Sequence, residues 1–377
     1  MKELGLSDAQ ALALGAGILG TGGGGNTYLG RIWLEQEFVR SKNLCPVIDA
    51  DDVDDNALIC AIGTMGAPTV AVEKLPRGDE LEKAVRTLES HLRAKFDAIA
   101  IGEIGGANAL KPIICALQMG LPVVDGDPMG RAFPELQMDT FAIGGLDLSP
   151  LALVDCHGNQ IILESVSGPL QAELYARNLT IEMGGSVALA MPVVTGAELK
   201  KFIIRKTLSL SIAIGNAVLK ARGEGSDPVE PIISLTKGQV LFRGKIIDVE
   251  RRTTKGFSKG SMRLSAFGDQ NDQLEIEFQN ENLIAHRNGR TVCTVPDLIS
   301  LVNVEDGEPI GTEMLRYGLR VAVIGMPAPE ELKTSRALEF VGPEAFGYSG
   351  VEFKQLAGKL LQSLNEEGIS RRSVPTV

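Results

Sequence analysis

Residues 20–26 read Gly-Thr-Gly-Gly-Gly-Gly-Asn, the densest cluster of unusual residue types in the chain. The run formally contains G-x-G-x-x-G at Gly20, Gly22 and Gly25. A dinucleotide site also needs a strand directly before that pattern and an acidic residue at the end of the next strand. Here the preceding segment, Ala9 to Leu19, is helix-like, and no Lys-Ser or Lys-Thr follows to make a P-loop. The turn instead feeds a segment of helical spacing from Tyr28 to Val39. It therefore offers unpaired backbone N–H groups and the positive end of a helix dipole. Gly22, Gly23, Gly24, Gly25 and Asn26 are expected to cradle a carboxylate or oxyanion of a small-molecule substrate. The alternative is a tight crossing where two backbones touch. Consecutive glycines cost chain entropy, which weighs toward the cradle.

A second group is acidic. Glu73 closely follows Thr64-Met65-Gly66-Ala67-Pro68, Glu103 opens Glu103-Ile104-Gly105-Gly106-Ala107-Asn108, and Asp125 and Asp127 flank Gly126. Crowded carboxylates raise one another's pKa, which suits general acid or base work. Glu103, Asp125 and Glu73 are the catalytic candidates, and Asn108 is a substrate contact. Glu103, Asp125 and Asp127 could alternatively hold a hard divalent metal. Asp127 also suits a plain helix cap. No nucleotide cofactor is expected. In Gly130-Arg131-Ala132-Phe133-Pro134-Glu135, Arg131 could clamp a carboxylate or pair with Glu135. Glu135 and Glu281 complete the substrate-binding candidates, with a solvated loop the plainer reading of Glu281.

Other chemistries find no footing. His91, His157 and His286 are isolated, with no H-x-H, H-E-x-x-H or G-x-S-x-G in the chain. The five cysteines are irregularly spaced and form no C-x-x-C, which argues against disulfides and a thiolate zinc site.

The elements that must position these residues read as α/β in the first half. Apolar runs at Ala57 to Ile62, Ala98 to Ile101 and Pro122 to Val124 alternate with helical patterns at Gly78 to Lys95 and Ala107 to Met119. That alternation indicates βαβ units and a parallel or mixed sheet with flanking helices. In such a sheet ligands bind outside the carboxyl ends of the strands, so the loops bearing Thr64, Glu103 and Asp125 should converge. A hairpin follows, with its turn at His157-Gly158-Asn159. Helices are expected around Leu170 to Ile181 and Ala197 to Arg222. From Gly238 the chain reads as β-rich, with strands at Val240 to Phe242, Ile246 to Val249, Gln273 to Phe278, Leu283 to His286 and Leu319 to Ile324. Asn288-Gly289 makes a hairpin turn. The second part is thus a β-rich α+β unit.

With 377 residues, two or three domains fit the length, and a net charge of −11 disfavours nucleic acid and anionic membrane as partners. No apolar run is long enough to span a bilayer, and no secretion signal precedes Ala9. A cytoplasmic protein is expected, with homo-oligomerisation left open.

Several longer strings occur together: Gly20 to Asn26, Met65-Gly-Ala-Pro-Thr-Val70, Glu103-Ile-Gly-Gly106 and Gly130-Arg-Ala-Phe-Pro-Glu-Leu-Gln-Met138. Gly244 to Phe257, Phe278-Gln-Asn-Glu-Asn-Leu283 and Gly342-Pro-Glu-Ala-Phe-Gly-Tyr348 join them. In these the chain resembles the S-methyl thiohydantoin desulfurase-like family over nearly its whole length. The resemblance implies an N-terminal domain over residues 1–165 and a C-terminal domain over 166–377. It also implies hydantoin-related chemistry: hydrolytic loss of a methylthio group from an S-methylated thiohydantoin ring. A non-catalytic binding or scaffolding subunit of a hydantoinase-type amidohydrolase is the competing expectation.

Overall fold

The computed structural model describes residues 3–67, 70, 73–254 and 257–356. Pro68, at the end of the first strand-end loop, lies outside the described residues.

Among the described residues, one mixed sheet carries the N-terminal part. Its order is β1 (Glu3–Leu4), β2 (Cys45–Ile48), β5 (Val123–Val124), β4 (Ala98–Ile101), β3 (Leu58–Gly66), β9 (Ser186–Thr195), β7 (Leu151–Val154) and β8 (Gln160–Leu163). Strands β2, β5, β4 and β3 run parallel, whereas β9, β7 and β8 add on antiparallel. Every residue of β4 is buried, as a short apolar run covered on both faces requires. The chain beyond residue 165 supplies β9, which is wedged between β3 and β7. The first sheet therefore draws on both sides of that position. No expectation covered β9: Pro192 interrupts its apolar run, and an internal proline reads as the end of a strand. Here Pro192 sits at the register shift opposite Cys60 and Ile62, where a ladder hydrogen bond is not needed.

Two buried helices form the centre. Ala9–Leu19 lies against Thr207–Glu224. A Cβ on Gly15 would stand 1.7 Å from the Ser211 carbonyl oxygen, and one on Gly215 would stand 1.8 Å from that of Ala11. Glycines that look like helix interruptions are thus the positions where two backbones meet.

The helix expected over Ala197 to Arg222 is two helices, Gly196–Phe202 and Thr207–Glu224. Between them β10 (Ile204–Arg205) pairs with β6 (Gly126–Asp127), and Lys206 turns the chain at φ 65°. Burying the β-branched Ile203 and pairing Ile204 with Asp127 outweigh local helical spacing.

The second sheet is antiparallel and curled, in the order β15 (Arg290–Thr294), β14 (Glu281–Arg287), β13 (Gln273–Gln279), β12 (Phe257–Ala266), β11 (Gln239–Thr254), β17 (Arg320–Met326) and β16 (Leu298–Asn303). The runs expected separately at Val240 and Ile246 are one strand, β11. It has register shifts between Val240 and Phe242 and between Ile246 and Asp248. Each shift moves the alternation by one residue, so a strict period of two breaks there. The Asn288-Gly289 hairpin forms as expected, with Arg287 paired to Arg290. The whole is α/β: a mixed sheet with flanking helices, plus a β-rich part. Among the described residues no helix is long and apolar enough to cross a membrane.

Candidate active site

The carboxyl ends of β3 and β4 open into one cleft, as the strand-end rule requires. Its inner cavity has a volume of about 130 Å³. Thr64 to Ala67 come from the end of β3, Gly102 and Glu103 from the end of β4, and Gly24 to Asn26 from the glycine turn. The Met129 to Asp139 loop, Arg177 and Asn280-Glu281 complete the wall. The β-rich part thus closes a cavity that the first sheet opens.

One hydrogen-bonded chain runs along this wall. The Glu103 carboxylate accepts from Asn108 Nδ2 at 3.0 Å and from the Phe133 N–H at 3.1 Å. Asn108 Oδ1 accepts from Thr64 Oγ1 at 2.6 Å and from the Thr64 N–H at 3.0 Å. Lys111 Nζ donates to Thr64 Oγ1 at 2.9 Å. Burial raises the Glu103 carboxyl to about 7, with its partners pulling the other way. Burial also lowers the Lys111 ammonium to about 8. Both groups therefore exchange protons near neutrality, the range useful for acid–base work.

Further acids face the same space. Asp139 caps the short helix Thr140–Ile143 through the Ala142 N–H at 2.7 Å, and burial raises its carboxyl to about 7. Glu281 is only 2 % exposed, and its Oε2 has no hydrogen-bond partner among the described residues. Burial, with Glu103 nearby, holds its carboxyl well above the usual range. Glu135 accepts from Gln137 Nε2 at the rim. Arg177 brings a cation, bonded to Glu173 at 2.7 Å and stacked over Phe257 at 4.4 Å.

Several expectations are corrected. Asp125 is buried but does not reach the cleft. Its carboxylate accepts from the Ser209 N–H and Oγ at 3.0 and 2.6 Å, at the start of the helix Thr207–Glu224. Asp127 is spent on the N–H groups of Ile104, Met129 and Gly130. Burial raises it to about 6 despite these donors. Glu103, Asp125 and Asp127 thus point to different partners. Among the described residues no group of three or more His, Cys, Asp and Glu side chains is placed to hold a metal ion. Glu73 is exposed and lies outside the cleft wall.

Arg131 does not line the cleft either. It is fully buried, and its donors reach the carbonyls of Ala132, Pro296, Asp297 and Asn282 and the Thr21 hydroxyl. Burial lowers it to about 10. Neither does it pair with Glu135; it ties the loop after β6 to the β-rich part.

The glycine turn divides. Gly24, Gly25 and Asn26 line the cleft, whereas Gly22 and Gly23 do not. A Cβ on Gly23 would lie 2.0 Å from Glu281 Oε1, and one on Gly24 would lie 2.1 Å from the Gly105 carbonyl oxygen. The carbonyls of Gly24 and Gly25 accept from the N–H groups of Asn108 and Ala107. The turn is therefore mostly a close crossing of backbones, the alternative weighed above. Asn26 uses its side chain to cap the helix Thr27–Ser41 through the Leu29 N–H at 3.1 Å.

Lys111, Asp139 and Arg177 were not among the expected site residues. Lys111 did carry a signal. It stands in the first turn of a mostly apolar helix, Lys111–Met119, where a cation opposes the helix dipole and so needs another reason to be there. Asp139 and Arg177 carried only ordinary signals, a helix cap and an i,i+4 ion pair with Glu173.

No curated protein sequence matches the chain. The crystal structure of a protein from Chromobacterium violaceum shares the fold with a TM-score of 0.78 at 24 % identity, covering 94 % of this chain and 100 % of that one. The S-Me-THD-like N-terminal domain matches residues 7–165, and the S-Me-THD-like C-terminal domain matches residues 167–356. With both domains matched in order along the same chain, this protein belongs to the S-Me-THD-like, that is S-methyl thiohydantoin desulfurase-like, family.

Proposed function

We propose that the protein is a hydrolase that replaces the methylthio group of an S-methyl thiohydantoin, or of a related hydantoin-like ring, with oxygen from water. The family supports the substrate class. The observation that carries the reaction type is the wall of the cleft, where Glu103, Asn108, Thr64 and Lys111 form one hydrogen-bonded chain. Water addition to the ring carbon needs a base, and the leaving methanethiolate needs a proton. Glu103, raised to about 7 by burial, serves as that base at neutral pH. Lys111, lowered to about 8, is mostly protonated there and serves as the acid. Glu281, whose carboxyl burial pushes well above its usual range, faces the same cavity. Met129, Leu136, Leu189 and Met191 give the flat ring an apolar seat.

The test is incubation of the purified protein with an S-methyl thiohydantoin, following methanethiol and the mass of the ring product. The reading expects one thiol per hydantoin formed. A ring-opened product without thiol release points instead to an amidohydrolase, and unchanged substrate defeats the reading.

A further inference from the structure

We propose that Thr64 is a covalent nucleophile and Lys111 its base, working at the neck between the inner cavity and a second, outer chamber. This rests on the hydrolase reading above and deepens it. The outer chamber has a volume of about 460 Å³ and is lined by Gln36, Arg77, Leu81, Gln118 and Cys156, among others. Among the described residues, Trp33, Thr64, Lys111 and Ser186 line both spaces. A ring seated in the first cavity with its side arm toward the second would lie beside the Thr64 hydroxyl.

The hydroxyl is held for attack. Asn108 Oδ1 accepts from both the Thr64 N–H and Oγ1, which fixes the side-chain rotamer. Thr64 lies near the end of β3, paired with Ala188 of β9, so its backbone is fixed as well. The hydrogen-bond partner of Lys111 there is a hydroxyl rather than a carboxylate. Lys111 Nζ lies 2.9 Å from Oγ1, and with its ammonium lowered to about 8 its neutral form accepts the hydroxyl proton once that proton turns away from Asn108 Oδ1. A fixed hydroxyl also avoids the entropy of recruiting a free water for the first bond-making step.

Lys111 takes the Thr64 proton as Oγ1 bonds to the ring carbon bearing the methylthio group. The carbon–sulfur bond breaks, and methanethiolate leaves with the proton from Lys111. Water then adds to the same carbon and gives one proton to Glu103. The bond from carbon to Oγ1 breaks, and Thr64 regains its proton from Glu103. The second water proton ends on a ring nitrogen, leaving the hydantoin carbonyl. No oxidant or reductant is needed.

Two measurements on the full-length protein test this. With p-nitrophenyl acetate as an acylating probe, Thr64 should gain an acetyl group, located by peptide mass. Thr64→Ser should keep the label on the new hydroxyl, and Thr64→Val and Lys111→Met should lose it at least tenfold in rate. With an S-methyl thiohydantoin, rapid quenching should show a methanethiol burst of about one per active site, absent in Thr64→Val. No acetyl on Thr64 in the wild type, or methanethiol release by Thr64→Val at the wild-type rate, overturns the proposal. Acetylation of Thr64 without any thiol release defeats the hydrolase reading and leaves the nucleophile standing.

Discussion

The Asn108 side chain donates from Nδ2 to Glu103 Oε1 at 3.0 Å, while its Oδ1 accepts from Thr64. Asn108 thereby links a carboxylate after β4 to a hydroxyl at the end of β3. Asn108→Asp keeps the shape but sets a second carboxylate against Glu103. Like charges in a buried site push a carboxyl pKa up. The acidic limb of the pH–rate profile, which reports Glu103 as a base, should shift to higher pH by about one unit or more. Asn108→Ala should lower turnover without that shift. An Asn108→Asp profile that overlays the wild type would separate Asn108 from the catalytic carboxyl.

Glu103 also makes the fold sensitive to pH. Its carboxyl rises from 4.5 to about 7 on burial. The folded state therefore binds this proton more tightly than the unfolded chain does. The stabilisation is fully present below about pH 4.5 and is lost as the pH climbs through 7. A shift of this size corresponds to about 3 kcal/mol in order of magnitude. Asp127 and Asp139, raised to about 6 and about 7, act with the same sign. The salt-bridged Asp49, Asp79 and Asp272 are lowered and act oppositely, in more acidic solution. Glu103→Gln isolates one share. Urea midpoints from pH 4 to 8 should fall less steeply for the variant than for the wild type, with the curves meeting near the acidic end. Parallel curves would show that Glu103 is not protonated on folding.

Arg131 holds the two parts together rather than a ligand. Removing it strands the carbonyls of Pro296, Asp297 and Asn282 in a buried site. Leaving a buried carbonyl without its donor costs on the order of 1–3 kcal/mol. Arg131→Met should lower the melting temperature by several degrees. Arg131→Lys should rescue little of it, because an ammonium cannot present the guanidinium's planar fork of donors. A thermal scan checks both. A variant with unchanged melting but weakened substrate binding would return Arg131 to the cleft.

Gly23 and Gly24 should tolerate no side chain. On Gly23 a Cβ meets Glu281 Oε1, and on Gly24, at φ 75°, it meets the Gly105 carbonyl. Gly23→Ala displaces a cleft carboxylate and should reduce turnover together with stability. Gly24→Ala should cost about 1–3 kcal/mol through overpacking. Gly25→Ala finds only Ala107 Cβ at 3.5 Å, so it bears mainly the strain of its φ of 89°, of order 1–3 kcal/mol. Melting temperatures of Gly23→Ala and Gly24→Ala at the wild-type value would mean that the turn is not the close crossing described.

The parallel core and the convergence of the loops bearing Thr64 and Glu103 were legible, because apolar runs of strand length alternate there with helical spacing. The glycine run was conspicuous, but its role was not: whether a glycine serves a ligand or a neighbouring backbone depends on Glu281 and Gly105, remote in sequence. The places of Arg131 and Asp125 away from the cleft wall were hidden for one reason. A buried charge looks alike in sequence whether its partner is a substrate or the chain's own N–H and C=O groups. Strand β9 was hidden by Pro192, and β11 was split by its bulges. Lys111 was readable in principle from its uncomfortable place in a helix's first turn.

Asp125 supplies the last contrast. The helix Thr207–Glu224 begins at Lys206, which offers no side-chain cap and sits at φ 65°. Asp125, at the end of β5, fills that role from another element by accepting from the Ser209 N–H and hydroxyl. Its negative charge also lies at the positive end of the helix, with Lys206 Nζ 3.6 Å away. Asp125→Ala should therefore destabilise the protein by about 1–2 kcal/mol, the cost of a lost cap. Asp125→Asn, which keeps an acceptor for the Ser209 N–H, should cost less. Turnover by the folded fraction should stay within threefold of wild type for both. Chemical unfolding and kcat measured on the same preparations separate the two roles: a hundredfold fall in kcat at unchanged stability would make Asp125 a participant in the chemistry rather than a cap.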